Sequence, residues 1–371
     1  MPTERHPAGR RLKRPGPMIR RKTQFSGGLA WEAPWPAHLP ALRWLTAPAP
    51  PGDVGVEPAD VPGLIEVLQR GGVGADRREC PDLAGQLRSA VVRRPDTLIC
   101  NLVDDDPRLR LNAVLWRHHA LGIVAALRLL AGVLGTRCIC LAAAADAPAG
   151  FVKMLQRLAA EAGARVVGFA AHYPQGHAAL LVLTVLGRVY PLGQLPTEAG
   201  AVVVDAAAAL AIDRLVRRGR PMSHVPVAVH DHVTGKSHYA MAPVGLKIVE
   251  LLGHLDIPAG QRAIGAGALL EQVAVAPEDA VGPGALTFHA AGLAPPAPPA
   301  PPAACIRCGW CVAACPTRLQ PAGLLEAAQL EDPELADRHG LGGCIECGLC
   351  SYVCPAHLPL LEAIRRLGVG G

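Results

Sequence analysis

Eight of the twelve cysteines in this 371-residue chain lie in two copies of one motif near its C-terminal end. Both copies have the spacing C-x2-C-x2-C-x3-C-P. Their cysteines are Cys305, Cys308, Cys311 and Cys315 in the first copy and Cys344, Cys347, Cys350 and Cys354 in the second. Three cysteines at this spacing can wrap a loop around one 4Fe–4S cluster, while the fourth reaches a neighbouring cluster. The motif pair therefore predicts two 4Fe–4S clusters.

In this arrangement the last cysteine of each motif binds the cluster held by the other motif, so the eight thiolates fall into two sets of four. We predict cluster I at Cys305, Cys308, Cys311 and Cys354, and cluster II at Cys344, Cys347, Cys350 and Cys315. Each fourth cysteine precedes a proline, Pro316 or Pro355, which keeps the chain from returning to its own cluster and can begin a helix. We assign no catalytic residue.

Two other uses of these cysteines are weaker alternatives. An all-cysteine zinc site is normally built from two separated C-x2-C pairs, so the third cysteine of each motif would be surplus. A disulfide framework is typical of small secreted domains, and this long chain shows no secretion signal. The iron–sulfur interpretation is therefore the one we carry forward.

Positive charge is concentrated at the N-terminal end, although the net charge is only +5. Eight Arg and Lys residues lie within the first 22 residues, against the single acid Glu4. This basic arm lacks the apolar stretch of a signal peptide, and Arg128 interrupts the apolar run at 120–136, so we expect no transmembrane helix. The arm is typical of a solvated tail, with binding to an anionic membrane surface as the alternative. It has no interleaved aromatic residues, so we expect no nucleic-acid partner.

Strand-like and helix-like segments alternate between residue 61 and about residue 218, which predicts a parallel sheet covered by helices. The predicted strands are 97–102, 137–141, 165–169, 179–186 and 201–204. The predicted helices are 62–69, 109–134, 149–162 and 206–218. A strand at 225–233 and an amphipathic helix at 245–255 predict a small mixed α+β module after them.

Composition divides the chain into five segments. They are 1–60, basic and rich in proline; 61–218, the α/β part; 219–292, the mixed module; 293–303, a proline-rich linker; and 304–371, the part with the cysteine motifs. The linker has the composition of a polyproline II spacer, which is semi-rigid. The last segment is predicted to be helical, with the motifs on loops between helices.

Several short stretches match those of a known family. They are Tyr173-Pro-Gln-Gly176, Gly187-Arg-Val-Tyr-Pro191 and Leu195-Pro-Thr-Glu-Ala-Gly200, which look like that family's YPQG, GREVP and LPxxxG stretches, and Phe25-Ser-Gly-Gly28, which looks like its F-x-GG. The two cysteine motifs also match nearly residue for residue. On these residues the chain resembles the RnfC family, one of the components of the Rnf ion-translocating oxidoreductase (electron transport) complex. It is an RnfC-like sequence that is divergent and shortened.

The resemblance implies a multidomain fold and a role in electron transport. It implies a Rossmann-like α/β domain related to the flavoprotein subunit of complex I at 61–218, a β-grasp-like (SLBB-type) module at 219–292 and a dicluster ferredoxin-type domain at 304–371. Residues 1–60 would be a truncated biotinyl-like module. The implied partners are integral membrane subunits of an Rnf-type complex and a soluble electron carrier such as ferredoxin. The implied location is peripheral, on the cytoplasmic side of the inner membrane.

Departures from the family argue against a normal FMN and NADH pocket. The family's glycine-rich phosphate loop is reduced here to Gly71, Gly72 and Gly74, followed by four charged residues at 76–79. The Glu-Lys pair expected after YPQG is replaced by His177-Ala-Ala. We therefore expect the α/β part to serve as a docking scaffold. A catalytically active NADH/FMN-dependent subunit remains the alternative.

Several histidines, the four cysteines outside the motifs and one charge difference between the motifs also allow interpretation. His224, His230, His232 and His238 lie close together, and we interpret them as a solvated strand edge rather than a metal site. Cys80, Cys100, Cys138 and Cys140 are interpreted as small hydrophobic residues. Arg307 in the first motif corresponds to Glu346 in the second, and this charge contrast predicts a higher reduction potential for cluster I.

Overall fold

The computed structural model describes residues 19–20, 29–30, 35–36, 38–47, 58–170, 172–191, 193–284, 286–293 and 301–368. Most of the basic arm, the Phe25–Gly28 stretch and residues 294–300 of the proline-rich linker lie outside the described residues. The strands, in chain order, are β1 Ile19–Arg20, β2 Leu29–Ala30, β3 Arg43–Trp44, β4 Thr97–Leu102, β5 Cys138–Ala144, β6 Ala164–Phe169, β7 His172–Tyr173, β8 Ala201–Asp205, β9 His224–Asp231, β10 Lys236–Pro243, β11 Arg262–Ala268, β12 Glu271–Val275 and β13 Thr287–Gly292.

Helices follow most of these strands. They are α1 Val61–Arg70, α2 Leu83–Arg93, α3 Leu111–Leu134, α4 Ala149–Glu161, α5 Ala178–Leu186, α6 Ala206–Ile212, α7 Ile248–His254, α8 Trp310–Ala314, α9 Pro321–Leu330, α10 Pro333–Arg338, α11 Leu349–Tyr352 and α12 Leu360–Gly368. A π-helical turn, Asp213–Arg217, extends α6.

A five-stranded parallel sheet forms the centre of the α/β part, in the order β1-β6-β5-β4-β8. Every residue of β4 and β8 is buried, because helices cover both faces of the sheet. The direction of strand addition reverses between β4 and β8. In such sheets ligands bind beyond the carboxyl ends of the strands at this switch point. The sheet confirms the predicted α/β fold class.

A six-stranded mixed sheet follows, in the order β12-β11-β13-β9-β10-β3. Strands β9 and β10 form an antiparallel hairpin with Asp231 opposite Lys236. One face of the sheet packs on α7 around Val227, Leu251 and Phe288, which are at most 2% exposed. The C-terminal helices α8 to α12 form a third, smaller core around Leu324, Leu360 and Ile364.

One predicted strand is wrong. Residues predicted as a strand at 179–186 form helix α5, whose first turn is capped by the His177 ring accepting the N–H of Ala179. Gly187 ends the helix with φ +70°. The helix is apolar on most sides because it lies between the sheet and other elements, and an apolar run of this length does not distinguish a strand from a buried helix. The sequence reasoning also missed α2, which Asp82 caps.

Helix α3 is long and apolar enough to cross a membrane, judged by length and composition among the described residues. In the folded chain Trp116, Ile123 and Leu127 on this helix are fully buried. They belong to the core that α3 forms with the parallel sheet and with α6. The same apolar residues therefore serve packing inside the protein.

Candidate metal centres

The two cysteine motifs follow the same backbone path. Arg307 and Glu346, each between the first two cysteines, have φ values of +52° and +51°, and Gly309 and Gly348 have φ values of +78° and +77°. Residues with side chains adopt positive φ only where the surrounding structure requires it. The short helices α8 and α11 begin immediately after these glycines and carry Cys311 and Cys350. The sequence repeat is therefore also a structural repeat.

A cavity of about 200 Å³ lies against the first motif. It is lined by Cys305, Cys308 and Cys311 of that motif, and by Cys354, the last cysteine of the second motif. This is the set that we predicted for cluster I. The two outer cysteines, Cys305 and Cys308, are exposed to solvent.

A second, tighter cavity of about 20 Å³ lies against the second motif. Its cysteines are Cys344, Cys347 and Cys350, together with Cys315 from the first motif. All four are buried, and burial raises the pKa of Cys350 to about 12. Neutral thiols are therefore favoured in the protein alone, and bound metal would reverse this preference because it deprotonates its thiol ligands. The four residues form the set predicted for cluster II.

The arrangement of ligands suits a cluster better than a single ion. Within the described residues, no three Cys, His, Asp or Glu side chains form a group compact enough for one metal ion. In a 4Fe–4S cluster each thiolate binds a different iron, so the sulfurs are spread around the cube. Backbone N–H groups also point at two of these sulfurs, from Leu319 to Cys315 and from Glu346 to Cys344, both at 3.4 Å. The two sets of cysteines therefore supply the four thiolate donors that each of two 4Fe–4S clusters needs.

The second motif is attached to the α/β part by a short hydrogen-bonded chain. The Tyr173 hydroxyl donates to the carbonyl of Cys347 at 2.7 Å, and Arg78 donates to the same hydroxyl oxygen at 3.0 Å. Arg78 also donates to the carbonyl of Glu346. Tyr173 is fully buried against Ile345. The tyrosine of the YPQG stretch thus supports the cluster II loop, a role that the sequence pattern did not reveal.

A cleft of about 1060 Å³ is lined by both the charged loop after α1 and the cluster II loop. Asp76, Arg77 and Arg78 line it on one side, and Cys344 and Glu346 line it on the other. The cleft lies beyond the carboxyl ends of the parallel strands, where this class of sheet binds ligands.

The three glycines proposed for cofactor binding are absent from the lining of this cleft. Gly71 follows α1, and a Cβ there would clash with the Leu215 side chain. Gly72 has φ +67° in the turn that follows. Gly74 lines a separate small cavity beside α6. Gly71 and Gly72 therefore serve the end of α1 and the close packing there.

The arginines of the charged run are engaged with carboxylates of the sheet. Arg77 makes two bonds to Asp205 at 2.5 and 2.6 Å, and both side chains are buried. Arg78 lies 3.8 Å from Asp105. Asp205 ends β8 and Asp105 follows β4, so these ion pairs bridge the switch point itself. Each of these arginines therefore has a carboxylate close by at the switch point.

The interpretation as a solvated strand edge is wrong for His224 and His230, which are buried on the interior strand β9, whereas His232, just after this strand, is exposed. Strand β9 is flanked by β13 and β10, and His230 is only 8% exposed. The rings of His230 and His232 are 4.7 Å apart, and His232 Nε2 lies 3.4 Å from Nδ1 of the buried His289. The parallel pairing of β13 with β9 brings His289 to this place, and no local sequence signal indicated it.

Two family models match parts of the chain. Residues 83–214 match the Nuo51 FMN-binding domain, and residues 304–359 match the 4Fe-4S dicluster domain. The RnfC protein of the ion-translocating oxidoreductase complex of Pasteurella multocida is 29% identical over 82% of this chain and 36% of its own length. The corresponding protein of Rhodobacter capsulatus is 28% identical over 90% of this chain and 62% of its own length. The resemblance to RnfC is confirmed.

The RnfC relatives are longer than this chain, which spans about a third to three fifths of the two lengths just given. The fold is also similar to a chain of the NAD+-reducing [NiFe]-hydrogenase. Its H2-reduced structure gives a TM-score of 0.55 at 15% identity, covering 83% of this chain and 63% of that chain. The air-oxidized structure gives 0.53 over 84% and 61%. At this identity the likeness concerns the fold alone.

Proposed function

We propose that this chain is an electron-transfer iron–sulfur subunit of a membrane-associated Rnf-type complex, with two 4Fe–4S clusters in its C-terminal part. The observation that supports the proposal best is the pair of cavities, each lined by three cysteines of one motif and the last cysteine of the other. Bound there, the clusters would accept and release single electrons. The relatives' names supply the complex in which this activity would be used.

The protein's own part in this function is to hold and insulate the two sites. Buried cysteines and the Tyr173 bond fix the cluster II loop against the α/β part. The exposed cysteines of the first motif lie beside the exposed side chains of Ile306 and Trp310. Cluster I is therefore the site from which a partner protein could be reached at the surface, and cluster II is the interior site.

The ligand assignment is tested by pairs of serine variants of the chain purified without oxygen. Cys354 and Cys350 belong to the same motif but line different cavities. We expect Cys354→Ser to remove the same EPR signal as Cys305→Ser, and Cys350→Ser to remove the same signal as Cys315→Ser. Eight irons and eight sulfides per chain are expected in the unmodified protein. Zinc in their place, or loss of one signal by both Cys354→Ser and Cys350→Ser, would refute the assignment.

Partners and location follow from the same proposal. We expect integral membrane subunits of an Rnf-type complex to bind the chain on the cytoplasmic side of the inner membrane, and a soluble carrier such as ferredoxin to exchange electrons with it. Anaerobic purification of the tagged chain from its own cells, with identification of the co-purifying membrane proteins, tests this. Recovery of the chain without any membrane oxidoreductase component would contradict it.

The second candidate function is an NADH- and FMN-dependent subunit that feeds the same clusters. The size and position of the cleft beside Cys344 favour it, as does the match to an FMN-binding domain. The position of Gly74 on a separate cavity and the paired Arg77 argue against it. A flavin absorption band at one flavin per chain, bleached by NADH, would establish this function. If protein that carries both clusters lacks this band, the remaining interpretation is that the α/β part serves as a docking scaffold.

A further inference from the structure

Two cysteines outside the motifs form a close pair on strand β5. Cys138 and Cys140 are its first and third residues, so their side chains lie on the same face of the sheet. Their sulfur atoms are 3.6 Å apart. Both side chains lie beneath α5, and Cys138, at the start of the strand, retains 9% exposure. The pair is thus close enough for direct sulfur chemistry and borders the surface at one end.

A cation lies next to this pair. The parallel register sets Arg165 of β6 beside Cys140, and its Nε donates to the Cys140 sulfur at 2.8 Å. Burial acts to lower the pKa of Arg165, but the two sulfur groups outweigh burial and raise it. The guanidinium therefore interacts with the thiol pair. A neighbouring cation of this kind stabilises a thiolate and increases its reactivity.

The other two free cysteines of the α/β part have a different environment. Cys80 donates to the carbonyl of Val203 at 3.5 Å, and burial raises its pKa to about 12. Burial also raises the pKa of Cys100. For Cys138 the hydrogen bond with Cys140, helped by Arg165, lowers the pKa, whereas the same bond and burial raise the pKa of Cys140. The interpretation as small hydrophobic residues therefore suits Cys80 and Cys100, and it does not account for the pair.

We propose that Cys138 and Cys140 form an oxidation-sensitive dithiol, which a hydroperoxide converts to an intramolecular disulfide. The Cys138 thiolate attacks the peroxide O–O bond, gains one oxygen as a sulfenic acid and, with protonation of the leaving oxygen, releases water. The Cys140 thiol then attacks that sulfur, forming the S–S bond and releasing a second water. The two thiols lose two electrons and two protons in total, and one hydrogen peroxide becomes two waters.

The strand geometry permits the bond and makes it reversible. Residues two apart in a strand have Cα atoms about 6.4–6.8 Å apart, which is at the upper end of the range that disulfides span. The sulfurs must close from 3.6 Å to about 2.05 Å. A disulfide formed at this limit is strained, and strained disulfides are reduced readily by thiols.

The pair is not part of the lining of the cleft or of the two cysteine cavities. It lies at the amino end of β5, whereas the cleft and the cluster II loop lie beyond the carboxyl ends of the parallel strands. The inference therefore does not depend on the proposed function. It concerns a chemical property of the α/β part that would persist if the chain carried no cluster.

Peptide mapping of the full-length protein, kept with its clusters, tests the proposal. Trypsin cuts after Arg137 and Lys153, so Cys138 and Cys140 share one peptide that contains no other cysteine. After brief exposure to stoichiometric hydrogen peroxide and alkylation of free thiols, we expect this peptide to lose two hydrogens and to resist alkylation until it is reduced. The peptides with Cys80 and Cys100 serve as internal controls and stay alkylatable.

Variants separate the two steps. In Cys140→Ser we expect Cys138 to stop at the sulfenic acid, which a cyclic 1,3-dione reagent traps. In Arg165→Met we expect oxidation at pH 7 to be roughly tenfold slower, since the thiolate fraction falls when the cation is lost. Arg157→Met, which removes an exposed arginine of α4, is the matched control. Oxidation of Cys138 no faster than that of Cys80 in the unmodified protein would overturn the proposal, whatever the variants do.

Discussion

Single charged side chains distinguish the two cluster loops. Glu346 of the second motif is joined to Arg365 of α12 by a 2.8 Å ion pair, which offsets its negative charge. The predicted order of potentials, with cluster I higher, rests on the contrast between Arg307 and Glu346. The size of the difference therefore depends on a residue that the motif itself does not contain.

Replacing Arg365 with Met tests this dependence. We expect the potential of cluster II to fall by up to roughly 40 mV, because an exposed ion pair is worth at most about 1 kcal/mol and the unpaired Glu346 would disfavour the reduced cluster. An EPR-monitored redox titration measures the change. Arg366→Met, which removes a weaker pair with Glu362 on the same helix, is the control and should leave both potentials unchanged. An equal shift in both variants would refute the local effect.

The ion pair between Arg77 and Asp205 gives a second prediction. Arg77→Met leaves the Asp205 carboxylate buried without its partner, and we expect the free energy of unfolding to fall by about 3–5 kcal/mol. Arg93→Met breaks an ion pair of similar length, 2.7 Å to Glu198, whose arginine is half exposed, and should cost less than about 1 kcal/mol. Urea unfolding followed by circular dichroism compares them. If the two variants lose similar free energies of unfolding, the buried Arg77–Asp205 pair contributes no more to stability than the exposed pair.

Most elements of the α/β part could be predicted from the sequence, because strands buried on both faces and amphipathic helices leave clear patterns. Strand β4 was predicted with its observed bounds, and α1 within one residue at each end. Helix α5 was not, since burial on most sides removes its periodicity. The cysteine cavities were predictable because the ligand spacing is local. The Tyr173 and His289 contacts were not, because they join residues far apart in the chain.

The contribution of Gly71 and Gly74, which follow α1, to the stability of the fold can be measured. A Cβ at Gly71 would clash with Leu215, so Gly71→Ala should lower the free energy of unfolding by about 1–3 kcal/mol. A Cβ at Gly74 meets open space, and Gly74→Ala should change it by less than about 0.5 kcal/mol. Thermal unfolding of both variants provides the comparison. If Gly74→Ala instead abolished a bound flavin while leaving stability intact, the glycines would belong to a cofactor site.

At the scale of the whole molecule, the cluster II loop is continuous with the α/β core. Ile345, Cys347 and Leu349 share a small buried cluster with Tyr173 and Leu180. The first motif adds the partly buried Ala314 to this cluster, whereas its outer cysteines, Cys305 and Cys308, are exposed. We therefore expect the two clusters to differ in how easily they are lost.

Tyr173→Phe removes one hydrogen bond from the cluster II loop and keeps the ring. A bond of this kind contributes about 1 kcal/mol, so we expect a chelator to extract cluster II roughly fivefold faster, with cluster I unaffected. The decay of each EPR signal during the challenge measures this. Tyr352→Phe makes the same change at an exposed tyrosine of the second motif and should have no effect. If Tyr173→Phe lost both clusters faster, the hydrogen bond would support the whole C-terminal part, 304–371, and not the cluster II loop alone.

Strand β3 also ties distant parts of the chain together. It forms the edge of the mixed sheet beside β10, and the Trp44 ring stacks on Arg214 of the π-helical turn that extends α6. During synthesis β3 leaves the ribosome early, but its partner strand follows only roughly 200 residues later. The growing polypeptide must therefore keep this segment unpaired while these residues are made. Pairing of β3 therefore waits until β10 has emerged, and nascent chains stalled before β10 would leave the backbone of β3 unpaired and open to chaperones.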